Sequence, residues 1–388
     1  MNEDVVSRPN IIIILADDMG FSDIGCFGSE ISTPNIDSLS VNGAVFTQAY
    51  NCARCCPSRA SLLTGLYPHQ AGMGHMVADF GKPSYTGYLN DNSVTIAEVL
   101  KQSGYKTALS GKWHLGRRYD LTEPENKMPV GIKGYPTPNQ KGFDEFYGTL
   151  VGATSYFNPK MLMENESFVE PEGKNYHFTD ATTEHAINTI EKFNDGGDPF
   201  FLYLSYTAPH WPLQAFEEDI AKYEGSYLKG WSKTRAERYE KLKSLGIIDP
   251  DWEISPKDSQ APDWEDIKHK EWEDRRMAVY AAQVEHMDRS IGKVIEKLKE
   301  RNIYDNTVIM FLSDNGGCAE FLAEDASLPL LKQFDFPTLD GKKMRIGNTP
   351  EIIPGPADTF VSYDLPWANV SNTPFRLYKH WVHEGGIA

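Results

Sequence analysis

The chain has 388 residues, 40% of them hydrophobic, enough to bury a large core, which excludes a small binding module. A formal net charge of −17 argues against a nucleic-acid or anionic-membrane surface, because such a chain repels polyphosphate unless its basic residues are concentrated in one place. Apolar runs fall well short of the roughly 20 residues of a membrane helix, and five cysteines are too few and too unevenly spaced for a disulfide framework.

The first ten residues lack the basic-then-apolar profile of a signal peptide, so a soluble chain is expected, periplasmic or secreted only where a leader has been removed. Ile11, Ile12, Ile13, Ile14 and Leu15 form a β-branched run, the pattern of a strand buried on both faces of a parallel sheet, and it ends in Asp17 and Asp18. A helix is expected from Pro34 through Leu39, with Thr33 as N-cap and Gly43 closing it, followed by a strand over 45–50. Pro57 opens another helix that stops at Gly65, and a further helix over 94–102 stops at Gly104 before a strand over 106–110. An amphipathic helix over 179–193 feeds the apolar run 200–204, and a long helix over 271–301 feeds the run 308–312. Strands alternating with helices imply one α/β domain, its mostly parallel sheet sandwiched by helices. Two segments, 117–174, rich in Pro, Gly and Tyr, and 319–372, with many prolines and no clean periodicity, break this rhythm and read as irregular insertions that build a rim around a site. The helical pattern over 233–245 reads as a solvated surface helix.

Four apolar runs end in unusual polar groups: Asp17 and Asp18; Lys112 and His114; His210; and Asp314 with Asn315. In open α/β sheets the ligand crevice lies outside the strands' C-terminal ends, so parallel strands would gather all four groups on one edge. Asp17, Asp18, Asp314 and Asn315 are hard oxygen donors, which suits Ca²⁺ or Mg²⁺ better than zinc, and three carboxylates together without a cation would repel one another. Taken singly, the Asp pair also reads as a helix cap and Asp-Asn-Gly as a turn.

Cys52, Cys55 and Cys56 crowd into one segment just before Pro57, Ser58 and Arg59. A Cys-x-x-Cys pair suggests zinc or redox chemistry, yet no second pair completes a zinc site and no thioredoxin-like unit surrounds it. Cys55 stands just ahead of an expected helix N-terminus, where backbone N–H groups favour a developing anion.

The run Cys55, Cys56, Pro57, Ser58, Arg59 followed by Leu63, Thr64, Gly65 resembles the Cys-x-Pro-Ser-Arg…Leu-Thr-Gly signature of type I sulfatases, in the alkaline-phosphatase-like superfamily. Gly111 to Gly116 resembles that family's second signature, and Asp17-Asp18-Met19-Gly20, Ala208-Pro209-His210 and Ser313-Asp314-Asn315-Gly316 are similar to its other landmarks. The tracts around His210 and from Lys379 to Gly386 look closest to bacterial arylsulfatases. The resemblance implies hydrolysis of sulfate esters. A formylglycine-generating maturation enzyme would oxidise Cys55 to formylglycine, whose hydrate attacks sulfur and forms a covalent sulfo-enzyme. It further implies that Asp17, Asp18, Asp314 and Asn315 hold Ca²⁺, or alternatively Mg²⁺, against the Cys55-derived oxygen. Arg59 would stabilise the deprotonated hydrate and His114 would be the base for sulfate release. Lys112 and Lys379 would grip the sulfate oxygens, and His210 with Lys379 would assist the leaving alcohol. His69 and His75 are further candidates to line the pocket.

Family members usually continue into a smaller C-terminal domain, so a chain stopping at Ala388 is expected to lack that subdomain and to be marginally stable. The nearest rival reading is a phosphate or phosphonate monoester hydrolase of the same superfamily. One of another class is a non-catalytic protein whose three clustered cysteines bind zinc or exchange disulfides.

Overall fold

The structure is a computed structural model that describes residues 8–173, 175–323 and 329–388. In chain order its regular elements begin with β1 (Asn10–Ala16), α1 (Pro34–Val41), α2 (Cys55–Thr64), α3 (Ile96–Gln102) and β2 (Lys106–Gly111). There follow β3 (Glu145–Thr149), β4 (Leu162–Glu164), β5 (Ser167–Phe168), α4 (Phe178–Gly196), β6 (Phe200–Ser205) and α5 (Glu217–Ile220). The chain continues through α6 (Trp231–Ser244), α7 (Lys270–Glu300), β7 (Thr307–Ser313), β8 (Arg345–Ile346), β9 (Thr359–Phe360) and α8 (Asp364–Ser371).

Seven strands form one sheet in the order β5-β4-β3-β2-β6-β1-β7. The five from β3 to β7 in that order run parallel, and β4 and β5 add an antiparallel edge. The side-chain alternation of a strand divides β1 between two cores. Ile13 and Leu15 pack with Cys56, Ala60 and Leu63 of α2, whereas Ile12, Ile14 and Ala16 pack with Ala186 and Ile190 of α4 and Met287 and Ile291 of α7. Helices therefore cover both faces, as alternation predicts for a parallel sheet.

Several expectations are corrected by the coordinates. Residues 45–50 form no strand: Val45, Phe46 and Tyr50 are exposed, and β propensity without a partner strand leaves the segment irregular. The helix expected from Pro57 begins at Cys55, so that cysteine lies inside the first turn rather than ahead of it. The 308–312 run is an edge strand with Val308 45% and Met310 41% exposed, since β7 pairs only with β1. Its hydrophobicity matched that of a doubly covered strand, and sequence alone does not distinguish the two. The insertion 117–174 contains β3, β4 and β5, of five, three and two residues, too short to stand out as apolar runs. Within 319–372 lie β8, β9 and α8.

Nor is α6 a solvated helix. Arg238 is buried and donates to Asp23 Oδ1 at 2.6 Å and to both Glu30 oxygens, at 2.9 and 2.8 Å. Charge count placed the helix at the surface, but its arginines face inward: Arg238 meets carboxylates of the β1–α1 segment, and Arg235 donates to the carbonyl oxygens of Asn369, Ser255 and Pro374.

Candidate active site

The parallel register brings the C-terminal ends of β1, β2, β6 and β7 level: Ala16 faces Ser313, Leu15 faces Ser205, and Ser205 faces Gly111. Each chain leaves the sheet at that edge and turns sharply. Gly111 has φ of +113°, and a Cβ there would lie 1.9 Å from the Ser205 carbonyl oxygen. Only glycine permits that approach, which lets the Lys112 N–H donate to the same oxygen at 2.8 Å. Asp18 and His114 also adopt positive φ, of 64° and 54°. Such strained positions cluster where a site over-determines the backbone.

All ten residues singled out by the sequence meet here. Lys112 Nζ pairs with Asp17 Oδ2. Arg59, fully buried on the inward face of α2, reaches Asp314 Oδ2 at 2.8 and 3.1 Å and lies 3.5 Å from Asp17 Oδ1. Lys379 Nζ lies 2.9 Å from Asp18 Oδ2, 3.4 Å from His210 Nε2 and 3.6 Å from Glu320 Oε2. His210 Nε2 is 3.3 Å from Asp18 Oδ2, and Asn315 donates its amide to Asp18 Oδ1 at 2.7 Å. Cys55 Sγ lies 3.8 Å from Asp18 Oδ1.

The charges are matched because none is solvated. Burial would raise Asp17, but Lys112, then His210 and Arg59, outweigh it and hold the carboxyl well below the ordinary range. Burial, and then the neighbouring Asp17, pushes Asp314 up to about 7. Burial, with Lys112 and Arg59 adding to it, drives His114 well below the usual histidine value, so its imidazole is neutral and able to accept a proton. Burial would also lower Lys379, yet Asp18 raises it well above the ordinary lysine range and keeps it cationic. Burial holds the Cys55 thiol far above its usual value, so it remains protonated.

The donors suit a hard dication. Asp17 Oδ1 and Asn315 Oδ1 are buried with no hydrogen-bond partner among the described residues, a costly arrangement that a cation would relieve. One donor atom each from Asp17, Asp18, Cys55 and His210 lies within 4.8 Å of the others. Asp314, expected beside them, instead faces Arg59 with one oxygen and accepts the Asp18 N–H with the other, at 3.2 Å. Neither Cys52 nor Cys56 joins a metal group among the described residues. Cys56 is a core residue and the Cys52 thiol lies 3.6 Å from Ser61 Oγ, so a three-cysteine zinc site is not formed.

Cys55 lies at the floor of a cleft of about 260 Å³. Its walls include Tyr119, Leu121, Leu150, Trp211 and Phe334, with Arg54, Arg117, Arg118 and Glu320 at polar positions. His75 lines this cleft, as expected, whereas His69 packs on Tyr85 and is not part of the wall. Sequence reasoning missed Arg54, which pairs with His380 Nδ1 at 2.8 Å, and Glu320, which accepts the Trp211 indole N–H at 3.0 Å. It also missed Gly152, where a Cβ would lie 2.3 Å from the His114 ring. No local signal marks these residues, because each matters only through a partner far along the chain.

Comparison with known proteins follows the same lines. The sequence model of the family described as Sulfatase matches residues 9–380. The chain is 35% identical to an arylsulfatase of Klebsiella aerogenes over 98% of this chain and 79% of that protein. It is equally similar, at 35%, to an uncharacterized sulfatase of Schizosaccharomyces pombe, covering 98% of this chain and 69% of the relative. Among solved structures, Ps i-CgsB superposes with a TM-score of 0.56 at 32% identity, covering 80% of this chain and 59% of that one.

Proposed function

Because the chain belongs to the sulfatase family, we propose that it hydrolyses sulfate esters, aryl sulfates foremost, to an alcohol or phenol and inorganic sulfate. The observation that carries this reading is the convergence of Arg59, Lys112 and Lys379 on Cys55, which lines a cleft with aromatic and aliphatic walls and a charged rim. A strongly acidic chain has here a local cationic pocket that fits a small tetrahedral anion. Walls of Tyr119, Trp211, Phe334 and Leu121 suit an aromatic leaving group.

Burial holds the Cys55 thiol protonated, so as a thiol it is a poor nucleophile. As the resemblance of the Cys55–Arg59 run implies, the reading includes oxidation of Cys55 to formylglycine by a maturation enzyme, its hydrate providing the hydroxyl for attack on sulfur through a covalent sulfo-enzyme. Asp17, Asp18, Asp314 and Asn315 would hold Ca²⁺, with Mg²⁺ the alternative; when bound, the ion supplies Lewis-acid polarisation of a sulfate oxygen. Lys112 and Lys379 neutralise the remaining sulfate oxygens, and Arg59 holds the nucleophile's developing negative charge. Neutral His114 accepts the proton whose loss frees sulfate, and the Lys379 ammonium, with His210 beside it, hands a proton to the departing oxygen.

Mass spectrometry of the Cys55 peptide, together with kcat/KM for an aryl sulfate against the matching aryl phosphate, tests the reading. An aldehyde-bearing peptide and a clear sulfate preference are expected. A phosphate preference would overturn the choice of ester and install the phosphate or phosphonate hydrolase in its place. Since the 32% identical Ps i-CgsB has been solved with k-i-k-neocarrahexaose, that compound belongs in the same assay to test the aryl preference.

A further inference from the structure

A second group of donors lies away from the cleft, between the start of α4 and the middle of α7. His177, the residue before α4, is 3% exposed, and neither of its ring nitrogens has a hydrogen-bond partner among the described residues. Its ring lies parallel to that of His286 at 4.6 Å between centroids, and parallel to Tyr156 at 5.4 Å. His286, on the inward face of α7, places Nε2 3.1 Å from Asp180 Oδ1 and Nδ1 3.5 Å from Asp219 Oδ2. One donor atom each from His177, Asp180 and His286 lies within 4.8 Å of the other two.

From this we infer that His177, Asp180 and His286 form a second metal site, for a transition-metal dication of the zinc class, which braces α4 against α7. Two imidazoles and one carboxylate are the donors such ions select, unlike the oxygen-rich set at the cleft. A three-ligand site of this type completes its tetrahedron with water. Asp219 Oδ2, 3.5 Å from His286 Nδ1, stands where a carboxylate could orient a ligating histidine and leave its Nε2 for the ion. Three cations, Lys293, Arg289 and Lys222, pair with these carboxylates, and only Lys293 touches a ligand, since Lys222 lies 3.1 Å from Asp219 Oδ1. Lys293, 3.4 Å from Asp180 Oδ1, is more than half exposed and swings away at small cost. Arg289 pairs with Asp219, which is not a ligand.

The brace is linked to the cleft. Tyr156, stacked on His177, donates its hydroxyl toward the carbonyl oxygens of Thr207 and His210, each 2.9 Å away, and its own carbonyl accepts the Phe178 N–H at 2.7 Å. An ion that fixes His177 thereby steadies the loop that presents His210.

The test uses the full chain, stripped with EDTA, held in saturating CaCl₂ to fill the oxygen donors of the cleft, and titrated with ZnCl₂ by calorimetry and thermal melting. Wild type is expected to take up a single equivalent of zinc and to melt at a higher temperature. His177→Phe keeps the ring stack but offers no donor, and it should abolish both effects. Asp219→Asn should weaken zinc binding about 10- to 100-fold. Cys55→Ser should bind zinc as wild type does. Absence of saturable zinc uptake by wild type, undiminished uptake by His177→Phe, or loss of uptake in Cys55→Ser would each overturn the assignment. None of these readouts depends on turnover, so the inference stands or falls separately from the proposed hydrolase activity.

Discussion

Lys379 Nζ lies 2.9 Å from Asp18 Oδ2 although the two are 361 positions apart in sequence, so a distant part of the chain supplies a charge to the first loop of the sheet. If that ammonium binds the anionic substrate, Lys379→Ala should lower kcat/KM by roughly 10²–10³, the usual effect of losing one charge-stabilising donor. Steady-state kinetics in saturating calcium checks it. A variant with unaltered kcat/KM would show Lys379 to be only a structural counter-ion of Asp18.

Gly152 controls the position of His114. Adding one methyl in Gly152→Ala would place a carbon 2.3 Å from the imidazole and push the ring out of line. The expected result is a loss of about 10²–10⁴ in kcat, the range of a lost general base, with the fold intact by circular dichroism. Combining it with His114→Ala should cost no more than His114→Ala alone, because both changes remove the same function.

Cys55 and Cys56 are adjacent and equally buried, yet they have opposite roles. Cys55 faces the cleft, while Cys56 belongs to the core shared by α2 and β1. Cys55→Ser should abolish turnover with little change in melting temperature. Cys56→Ser should keep measurable turnover and lose about 1–3 kcal/mol of stability by placing a hydroxyl in an apolar core, which urea denaturation measures.

Arg238 joins α6 to the β1–α1 segment through Asp23 and Glu30, away from the cleft. Removing it in Arg238→Ala leaves Asp23 buried without its cation and should cost roughly 3–5 kcal/mol. Chemical denaturation should show the loss, while KM of the remaining folded enzyme stays at the wild-type value.

His185 gives an acid limb to stability. Its ring makes a 2.7 Å hydrogen bond with Ser110 Oγ, and burial pushes its pKa from the ordinary value down to about 4. The folded value is the lower one, so between pH 6.5 and 4 the unfolded chain binds more protons and folding weakens as pH falls through that window. The contribution is on the order of 3 kcal/mol, complete above pH 6.5 and lost by pH 4. His185→Gln, which cannot titrate, should flatten the fall in melting temperature across this range; an equally steep fall in the variant would assign the limb to other groups.

The sheet and the site were legible to different extents, for physical reasons. Continuous apolar runs at Ile12, Leu202 and Ile309 announced strands, and the polar residues directly after them announced the shared edge, because parallel strands end together. Asp17, Asp18, Lys112, His114, His210 and Asp314 were therefore placed by pattern. Cys55, Arg59 and Lys379 acquired roles only through family resemblance, since a lone lysine or arginine carries no positional signal. What stayed hidden was pairwise: the space Gly152 leaves for His114, the pairing of Arg238 with Asp23, and the stacking of His177 on His286 are all contacts between distant segments. The exposure of β7 was hidden for the same reason, as an edge strand differs from a central one only in its neighbours.

The complete burial of Cys55 fixes an order of events in the life of the chain. If Cys55 is converted as proposed, an enzyme that grasps the backbone around it would lose access once the first turn of α2 has formed and Asp314 and Lys379 have joined the site. Those closing residues leave the ribosome long after Cys55 does, a delay on the order of tens of seconds at ordinary synthesis rates. On that reading oxidation would have to win a race against folding, and molecules that fold first would be trapped with an inert thiol, so the active fraction of a preparation would report how fast it was modified and not how well it folded.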